Sequence, residues 1–121
     1  MSNETMRTCI IVEDEIHHQD LLSFYLKKTG GIQVLGMYTD TVNAAIQIEK
    51  QKPDFIFLDI NISGLEGPEF IGLLEHRPKV IIVSAHSEDF MSAHYSEIPY
   101  AAFVQKPIDL IKLQEALANI D

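Results

Sequence analysis

The run Phe55-Ile56-Phe57-Leu58-Asp59 constrains the fold of this chain more than any other stretch. Four consecutive apolar residues followed by a carboxylate indicate a buried strand whose last residue emerges at the edge of a sheet. Turn-forming residues come next, from Ser63 to Pro68, and the proline suits the first turn of a helix. Open α/β sheets place their chemistry at the C-terminal ends of their strands. Asp59 is therefore the first candidate for a functional residue.

Strands and helices are predicted to alternate along the rest of the chain. Short apolar runs predict strands at 8–12, 32–38, 55–59, 80–84 and 101–104. Helices are predicted at 16–28, 68–75, 87–99 and 108–120. Another helix, the second in chain order, is predicted to begin at a cap on Thr39 or Asp40 and to end at 52. The second helix is expected to turn Val42, Ala45, Ile46 and Ile48 inward. The last helix is expected to carry an apolar face of Leu110, Ile111, Leu113, Leu117 and Ile120.

This alternation predicts an α/β fold in which a five-stranded parallel sheet is covered by helices on both faces. Right-handed crossovers make the flavodoxin-like strand order 2-1-3-4-5 the expected one. A chain of 121 residues is long enough for one core. We expect a single domain over 1–121, with its structured part at about 8–120.

Composition narrows the classes of function. The formal net charge of −9 would repel phosphate backbones, so direct nucleic-acid binding by this domain is not expected. No apolar run reaches the roughly 20 residues of a membrane span, and the N-terminus lacks a signal-peptide core. The single cysteine, Cys9, fits a reducing compartment. These features favour a cytoplasmic location without membrane association.

Polar side chains follow four of the predicted strands at the same edge of the sheet. Glu13 and Asp14 follow the first strand, Asp59 ends the third, Ser84 ends the fourth and Lys106 follows the fifth. In the order 2-1-3-4-5, the first, third and fourth strands are neighbours and the fifth is next to the fourth. Three carboxylates, a hydroxyl and an ammonium group should therefore share a small volume.

Such a cluster predicts a Mg²⁺ site with room for one more anion. Carboxylates about 4–5 Å apart repel by roughly 3 kcal/mol per pair at an effective dielectric of about 20, and Mg²⁺ binds oxygen ligands together with phosphate groups. An Asp carboxylate can attack phosphorus to form an aspartyl phosphate. A metal, Lys106, the Ser84 hydroxyl and the backbone N–H groups of Ile60 and Ala85 would then stabilise the phosphoryl oxygens.

Four motifs, in this order and spacing, resemble those of response-regulator receiver domains. They are Val12-Glu13-Asp14-Glu15, Leu58 to Gly67, Val83-Ser84-Ala85 and Lys106-Pro107. The similarity extends from about Thr8 to Asn119. It implies that Asp59 is the phosphoacceptor and that Ser84 is the switch hydroxyl.

The resemblance also implies a ligand set for the metal. Mg²⁺ would be bound by Asp14, Asp59 and the backbone carbonyl of Asn61, and Glu13 would act on it through water. Lys106 would be the family's lysine, followed by a cis peptide bond to Pro107.

The same resemblance implies a switch and a set of partners. Phe103 aligns with the switch aromatic residue, which is more often Tyr in the family, and would move inward as Ser84 moves toward the phosphoryl group. The alternative is that Phe103 is a core residue without a switch role. A histidine kinase or a phosphotransfer protein would supply the phosphoryl group. The surface of the fourth helix, fifth strand and fifth helix would be the output face. One form of this hypothesis is that the face is a homodimer interface. His86, two residues after Ser84, is close enough to influence phosphoryl hydrolysis, and the alternative is an ordinary surface role.

The stretch from Ser84 to Ile108 looks most like receivers attached to LytTR-type DNA-binding domains, so transcriptional output through such a domain is expected. The alternative is a stand-alone phosphorelay or protein-interaction receiver. Ile62-Ser63 departs mildly from the family's common Met-Pro.

Other classes fit the residues less well. A haloacid-dehalogenase-like phosphatase would need a second Asp where this chain has Asn61, and a flavin or nucleotide binder would not place Glu13-Asp14-Glu15 after its first strand. The five histidines show no zinc-ligand spacing with cysteine. A degenerate receiver that only binds partners stays open.

Overall fold

The computed structural model describes residues 6–60, 67–94 and 98–120. Its strands are β1 (Arg7–Val12), β2 (Ile32–Tyr38), β3 (Phe55–Asp59), β4 (Lys79–Ser84) and β5 (Ala102–Gln105). Its helices are α1 (Ile16–Thr29), α2 (Thr41–Gln51), α3 (Gly67–Leu73), α4 (Glu88–His94) and α5 (Leu110–Asn119). No helix in these ranges is both long and apolar enough to cross a membrane.

All neighbouring strands pair in parallel, in the order β2-β1-β3-β4-β5. The predicted fold class and strand order are confirmed. Val12 pairs with Leu58, and Ser84 pairs with Gln105. This register aligns the C-terminal ends of β1, β3, β4 and β5 at one edge of the sheet.

The sheet separates two hydrophobic cores, and alternate strand residues enter opposite ones. In β3, Phe55 and Phe57 pack into the core that α1 and α5 cover, while Ile56 and Leu58 pack into the core under α2, α3 and α4. Because both faces are covered, the central strands are apolar throughout, as the sequence of β3 indicated.

The inner face of α2 differs from the prediction. Asp40 is the N-cap, and its side chain accepts a hydrogen bond from the Asn43 N–H at 2.8 Å. Each residue of a helix advances by about 100°, and the helix buries Thr41, Ala44 and Ile48. The predicted inward residues Val42 and Ile46 are 53% and 48% exposed. The assignment of those two residues to the core was wrong.

The last helix begins two residues later than predicted. Asp109 caps α5 by accepting a hydrogen bond from the Lys112 N–H at 2.8 Å. Leu113 and Leu117 are buried as expected, but Ile111 is 70% exposed and lies outside the core. The α4 helix is shorter than its prediction of 87–99, and residues 95–97 lie outside the described ranges.

Candidate functional site

Three carboxylates meet where β1 and β3 end. Oxygen atoms of Glu13, Asp14 and Asp59 all lie within 4.8 Å of one another. Glu13 directly follows β1 and Asp59 is the last residue of β3, and the pairing of Val12 with Leu58 sets the two side by side. The predicted crowding of negative side chains is therefore present in the structure.

The members of this cluster differ in burial. Glu13 is 1% and Asp59 5% exposed, whereas Asp14 is exposed to solvent. The first turn of α1 holds Glu13 in place: the Gln19 side chain donates to the Glu13 carbonyl at 2.7 Å, and the Glu15 N–H donates to Glu13 Oε2 at 3.1 Å. One end of the site is thus buried and fixed, and the other faces solvent.

Lys106 brings a positive charge to the buried end. Its Nζ lies 3.0 Å from Glu13 Oε1 and 3.6 Å from Asp59 Oδ2. The backbone positions it, because the Lys106 N–H donates to the Ser84 carbonyl at 2.7 Å. The peptide bond from Lys106 to Pro107 is cis. The ammonium group partly neutralises two of the three carboxylates.

Burial raises the pKa of Glu13 from 4.5 to about 7, with a further contribution from the neighbouring Asp59 carboxylate. The Glu15 N–H and Lys106 oppose this shift. Near neutral pH, the metal-free protein therefore holds Glu13 as a mixture of its protonated and ionised forms.

This raised pKa predicts a pH-dependent stability. Because folded Glu13 keeps its proton up to higher pH than unfolded Glu13, its contribution is complete below about pH 4.5 and is lost as the pH rises through about 7. We expect the free energy of unfolding of metal-free protein to lose on the order of 3 kcal/mol from this group across that range. Urea titrations of wild type and Glu13→Gln at several pH values measure the difference. Parallel pH profiles for the two proteins would contradict the prediction.

Ser84, the last residue of β4, and Phe103, in β5, lie in different environments. Ser84 is fully buried, and its Oγ accepts a hydrogen bond from the His86 N–H at 3.0 Å. Phe103 is half-buried at the rim of one core, with its ring centroid 6.3 Å from that of Tyr100. The ring is therefore neither fully inside the core nor fully exposed.

Three further predicted site residues, Ile60, Ala85 and His86, follow β3 and β4 at the same edge. Ile60 is buried directly after β3, and Ala85 is exposed after β4. The exposed ring of His86 stacks on Phe90 with a centroid distance of 4.1 Å. Asn61, the predicted carbonyl ligand, lies outside the described residues.

The residues present fit a small divalent cation that prefers oxygen ligands. The three candidate ligands supply only carboxylate oxygens, and one of them is open to solvent, as a partly hydrated ion requires. Within the described part of the chain, Glu13 Oε1 is a buried oxygen that accepts no hydrogen bond of good geometry, although Lys106 Nζ is near. Glu13, Asp14 and Asp59 are therefore the residues that could hold the ion.

Two residues of α1 belong to the site but were missed in the sequence. Gln19 is buried against the Glu13 backbone, and His18 Nδ1 lies 2.9 Å from Lys106 Nζ. The only available signal was their position one helical turn after Glu15, which places them on the side of α1 nearest the cluster.

The chain is similar to known regulatory proteins over most of its length. It is 31% identical over 113 residues to the transcriptional regulatory protein BtsR of Escherichia coli, covering 92% of this chain and 46% of that protein. It is also 31% identical over 117 residues to an uncharacterized response regulatory protein of Shewanella oneidensis, covering 95% of this chain and 49% of that protein. The chain therefore spans about half the length of these relatives.

Solved structures show the same architecture. The response regulatory domain of protein mrkE from Klebsiella pneumoniae is 27% identical, with a TM-score of 0.75 and coverage of 92% of this chain and 95% of that one. The receiver domain of sensor histidine kinase PA1611 from Pseudomonas aeruginosa, described with a magnesium ion coordinated in its active-site cleft, is 22% identical. Its TM-score is 0.78, and the match covers 93% of this chain and 94% of that one.

A sequence model of the response regulator receiver domain matches residues 9–118. This match spans all five strands of the sheet except the first residues of β1, and it includes the carboxylate cluster and Lys106. The chain belongs to the family of response regulator receiver domains.

Proposed function

We propose that this receiver is a phosphorylation-controlled switch in which Asp59 accepts a phosphoryl group from a phosphohistidine. The donor would be a histidine kinase or a phosphotransfer protein. The observation that carries the proposal is the placement of Lys106 Nζ 3.6 Å from Asp59 Oδ2, beside two further carboxylates that can hold a cation.

In the proposed reaction, an Asp59 carboxylate oxygen bonds to phosphorus as the bond from phosphorus to the donor imidazole nitrogen breaks. That nitrogen keeps the electron pair and takes up a proton from solvent. The receiver accepts the group once per signalling event and catalyses its own phosphorylation and dephosphorylation, so it is not a turnover enzyme for an external product.

Each residue of the site has a proposed role. Mg²⁺, held by Asp14, Asp59 and the Asn61 carbonyl, with Glu13 acting through water, would neutralise phosphoryl oxygens. The ion described in the PA1611 receiver supports this choice of metal.

The other donors would act on the remaining phosphoryl oxygens. Lys106 would donate from its ammonium group, Ser84 from its hydroxyl, and Ile60 and Ala85 from their backbone N–H groups. Ser84 must give up its bond from the His86 N–H, or reorient around it, to reach the new group. His86, at the exposed rim, would influence access of the hydrolytic water.

The test is labelling with acetyl phosphate, with and without Mg²⁺, followed by intact-protein mass spectrometry. We expect one phosphoryl group per chain, only in the presence of the metal, and its release by hydroxylamine, which cleaves acyl phosphates. A phosphatase would instead turn over the donor without accumulating label. A degenerate receiver or a nucleotide-binding domain would take up no phosphate, and that outcome would overturn the proposal.

The output face is proposed to comprise α4, β5 and α5. Phosphorylation replaces the single negative charge of the Asp59 carboxylate with a phosphoryl group that carries roughly −1.5 to −2 charges, and movement of Ser84 would open space for the half-buried Phe103. The exposed side chain of Ile111 on α5 supports contact with an apolar surface of a partner protein. One such partner would be a second copy of this chain.

We expect beryllofluoride, which mimics the phosphoryl group, to increase self-association or partner binding through this face. Light scattering of wild type and Ile111→Glu, each with Mg²⁺ and with or without beryllofluoride, measures the effect. The increase should be present in wild type and absent in the variant. Equal association under all four conditions would count against a homodimer as the output.

Transcriptional output through a LytTR-type domain is also a proposal. The relative BtsR is named as a transcriptional regulatory protein, and this chain aligns with about half of it. The net charge of −9 argues that contact with nucleic acid would belong to another domain. We propose a cytoplasmic location and one receiver domain over 1–121, with a stand-alone phosphorelay receiver as the alternative.

A further inference from the structure

His18 connects α1 to the buried end of the site. It is the third residue of α1, and its side chain is 30% exposed. Its Nδ1 atom lies 2.9 Å from Lys106 Nζ, although the two residues are 88 positions apart in the chain. Lys106 follows β5, which β3 and β4 separate from β1 in the sheet. The contact therefore joins two separate parts of the fold.

The hydrogen-bonding capacity of the Lys106 ammonium group and the His18 imidazole determines which of them is the donor. An ammonium group has three donors and no acceptor, so Nδ1 must accept the hydrogen bond, and the ring must carry its proton on Nε2. Glu15 Oε2 lies 3.0 Å from the same nitrogen and can only accept. One nitrogen cannot accept from Lys106 and donate to Glu15 at the same time.

Burial decides between these two partners. The Glu15 side chain is 59% exposed, so water can replace its contact at little cost. The Lys106 side chain is 14% exposed, and a donor left without a partner there would cost more. The bond from Lys106 to His18 is therefore the one that the structure favours.

We infer that His18 is a positioning residue for Lys106 in the phosphoryl-transfer reaction. The ammonium group is held from one side by the Glu13 carboxylate at 3.0 Å and from another by His18 at 2.9 Å. Asp59 Oδ2 also lies near it, at 3.6 Å, which is longer than a hydrogen bond. The hydrogen bond to His18 and the ion pair with Glu13 thus hold the ammonium group beside the position that a phosphoryl oxygen on Asp59 would occupy.

This inference rests on the proposed function, and its consequence is kinetic. A charge-assisted hydrogen bond that orients a group before reaction saves the cost of ordering it in the transition state. Without the bond, the ammonium group is oriented by Glu13 alone. We expect loss of the His18 acceptor to slow phosphorylation about tenfold.

The test compares initial rates of phosphorylation by acetyl phosphate at saturating Mg²⁺. The rates are measured by mass spectrometry, because the chain has no Trp whose fluorescence could report the reaction. His18→Leu removes the acceptor and should be about tenfold slower than wild type. His18→Asn places an amide oxygen near the position of Nδ1 and should recover most of the rate. The matched control is His17→Leu on the exposed neighbouring residue, which should match wild type.

A second measurement does not depend on phosphorylation. Long-range ¹H–¹⁵N correlation spectra of protein labelled in histidine, recorded at about pH 8.5, should show the His18 proton on Nε2 in wild type. In Lys106→Met that preference should be lost. A wild type that takes up no phosphate would contradict the proposed function, while the spectra would still test the contact. Equal rates for His18→Leu and wild type, or a proton on Nδ1 in wild type, would overturn the inference.

Discussion

Replacing Lys106 with Met is expected to slow phosphorylation of Asp59 by about 100-fold, because it removes the nearest positive charge from the reacting oxygens. Lys106 Nζ lies 3.6 Å from Asp59 Oδ2, and in the described residues both of its carboxylate partners are almost fully buried. A buried donor near developing negative charge acts in a low dielectric, so its removal strongly raises the activation free energy of phosphorylation. No residue of the described site offers a second ammonium group to replace it.

The rate is measured with acetyl phosphate and Mg²⁺, after circular dichroism has shown that the variant is folded. Lys50→Met is a matched control, because Lys50 lies in the last turn of α2, away from the site. It should phosphorylate at the wild-type rate. A Lys106→Met rate within about twofold of wild type would mean that the ammonium group does not act on the phosphoryl group.

Asp59→Asn is expected to raise the melting temperature in EDTA by about 10 °C, although it removes the proposed phosphoacceptor. The Asp59 charge is repelled by two carboxylates within 4.8 Å and attracted by one ammonium group. At an effective dielectric of about 20, the net loss of one repulsive pair is worth about 3 kcal/mol. Asn is similar in size to Asp, so packing changes little and the charge effect should dominate.

Thermal unfolding at about pH 8, where Glu13 is mostly ionised, measures this effect. Asp20→Asn on the exposed face of α1 removes the same charge away from the cluster and should change the melting temperature by less than about 2 °C. Added Mg²⁺ should stabilise wild type more than Asp59→Asn, since the variant has lost a ligand. An Asp59→Asn protein that melts below wild type in EDTA would contradict the crowded-carboxylate account.

The strand ends were the most predictable part of this molecule. All strands of a parallel sheet run in the same direction, so their C-terminal ends lie at one edge. Asp59 and the residues after β1 therefore had to lie at that edge. Lys106 could be placed there as well, because β5 follows β4 in the order of strands. The distances between Glu13, Asp59 and Lys106 bear out that reasoning.

Helix faces were less predictable, because several apolar residues compete for the same core. In α2, Val42 and Ile46 are larger than Ala44, yet the small residue is buried and the larger ones are exposed. Asp40 caps the start of the helix, and the face that packs against the sheet contains Thr41, Ala44 and Ile48. The hydrophobicity of these residues alone does not predict which face of α2 is buried.

The contact between His18 and Lys106 could not be read from the sequence at all. It depends on the rotation of α1 about its axis and on the path of the backbone at Pro107, which are set by tertiary packing. A histidine in the first turn of a helix is usually a solvated residue, and no spacing distinguishes this one from His17. Its role emerges only from the 2.9 Å distance to Lys106 Nζ.

The most direct test of the central claim is to locate the phosphoryl group on the chain. Protein treated with acetyl phosphate and Mg²⁺ is reduced with borohydride, which converts an aspartyl phosphate to homoserine, and its peptides are then sequenced by mass spectrometry. We expect homoserine in place of Asp59, in amounts that match the phosphate incorporated, and none when Mg²⁺ is left out. Incorporation at another residue, or labelling of Asp59→Asn to the wild-type level, would contradict it.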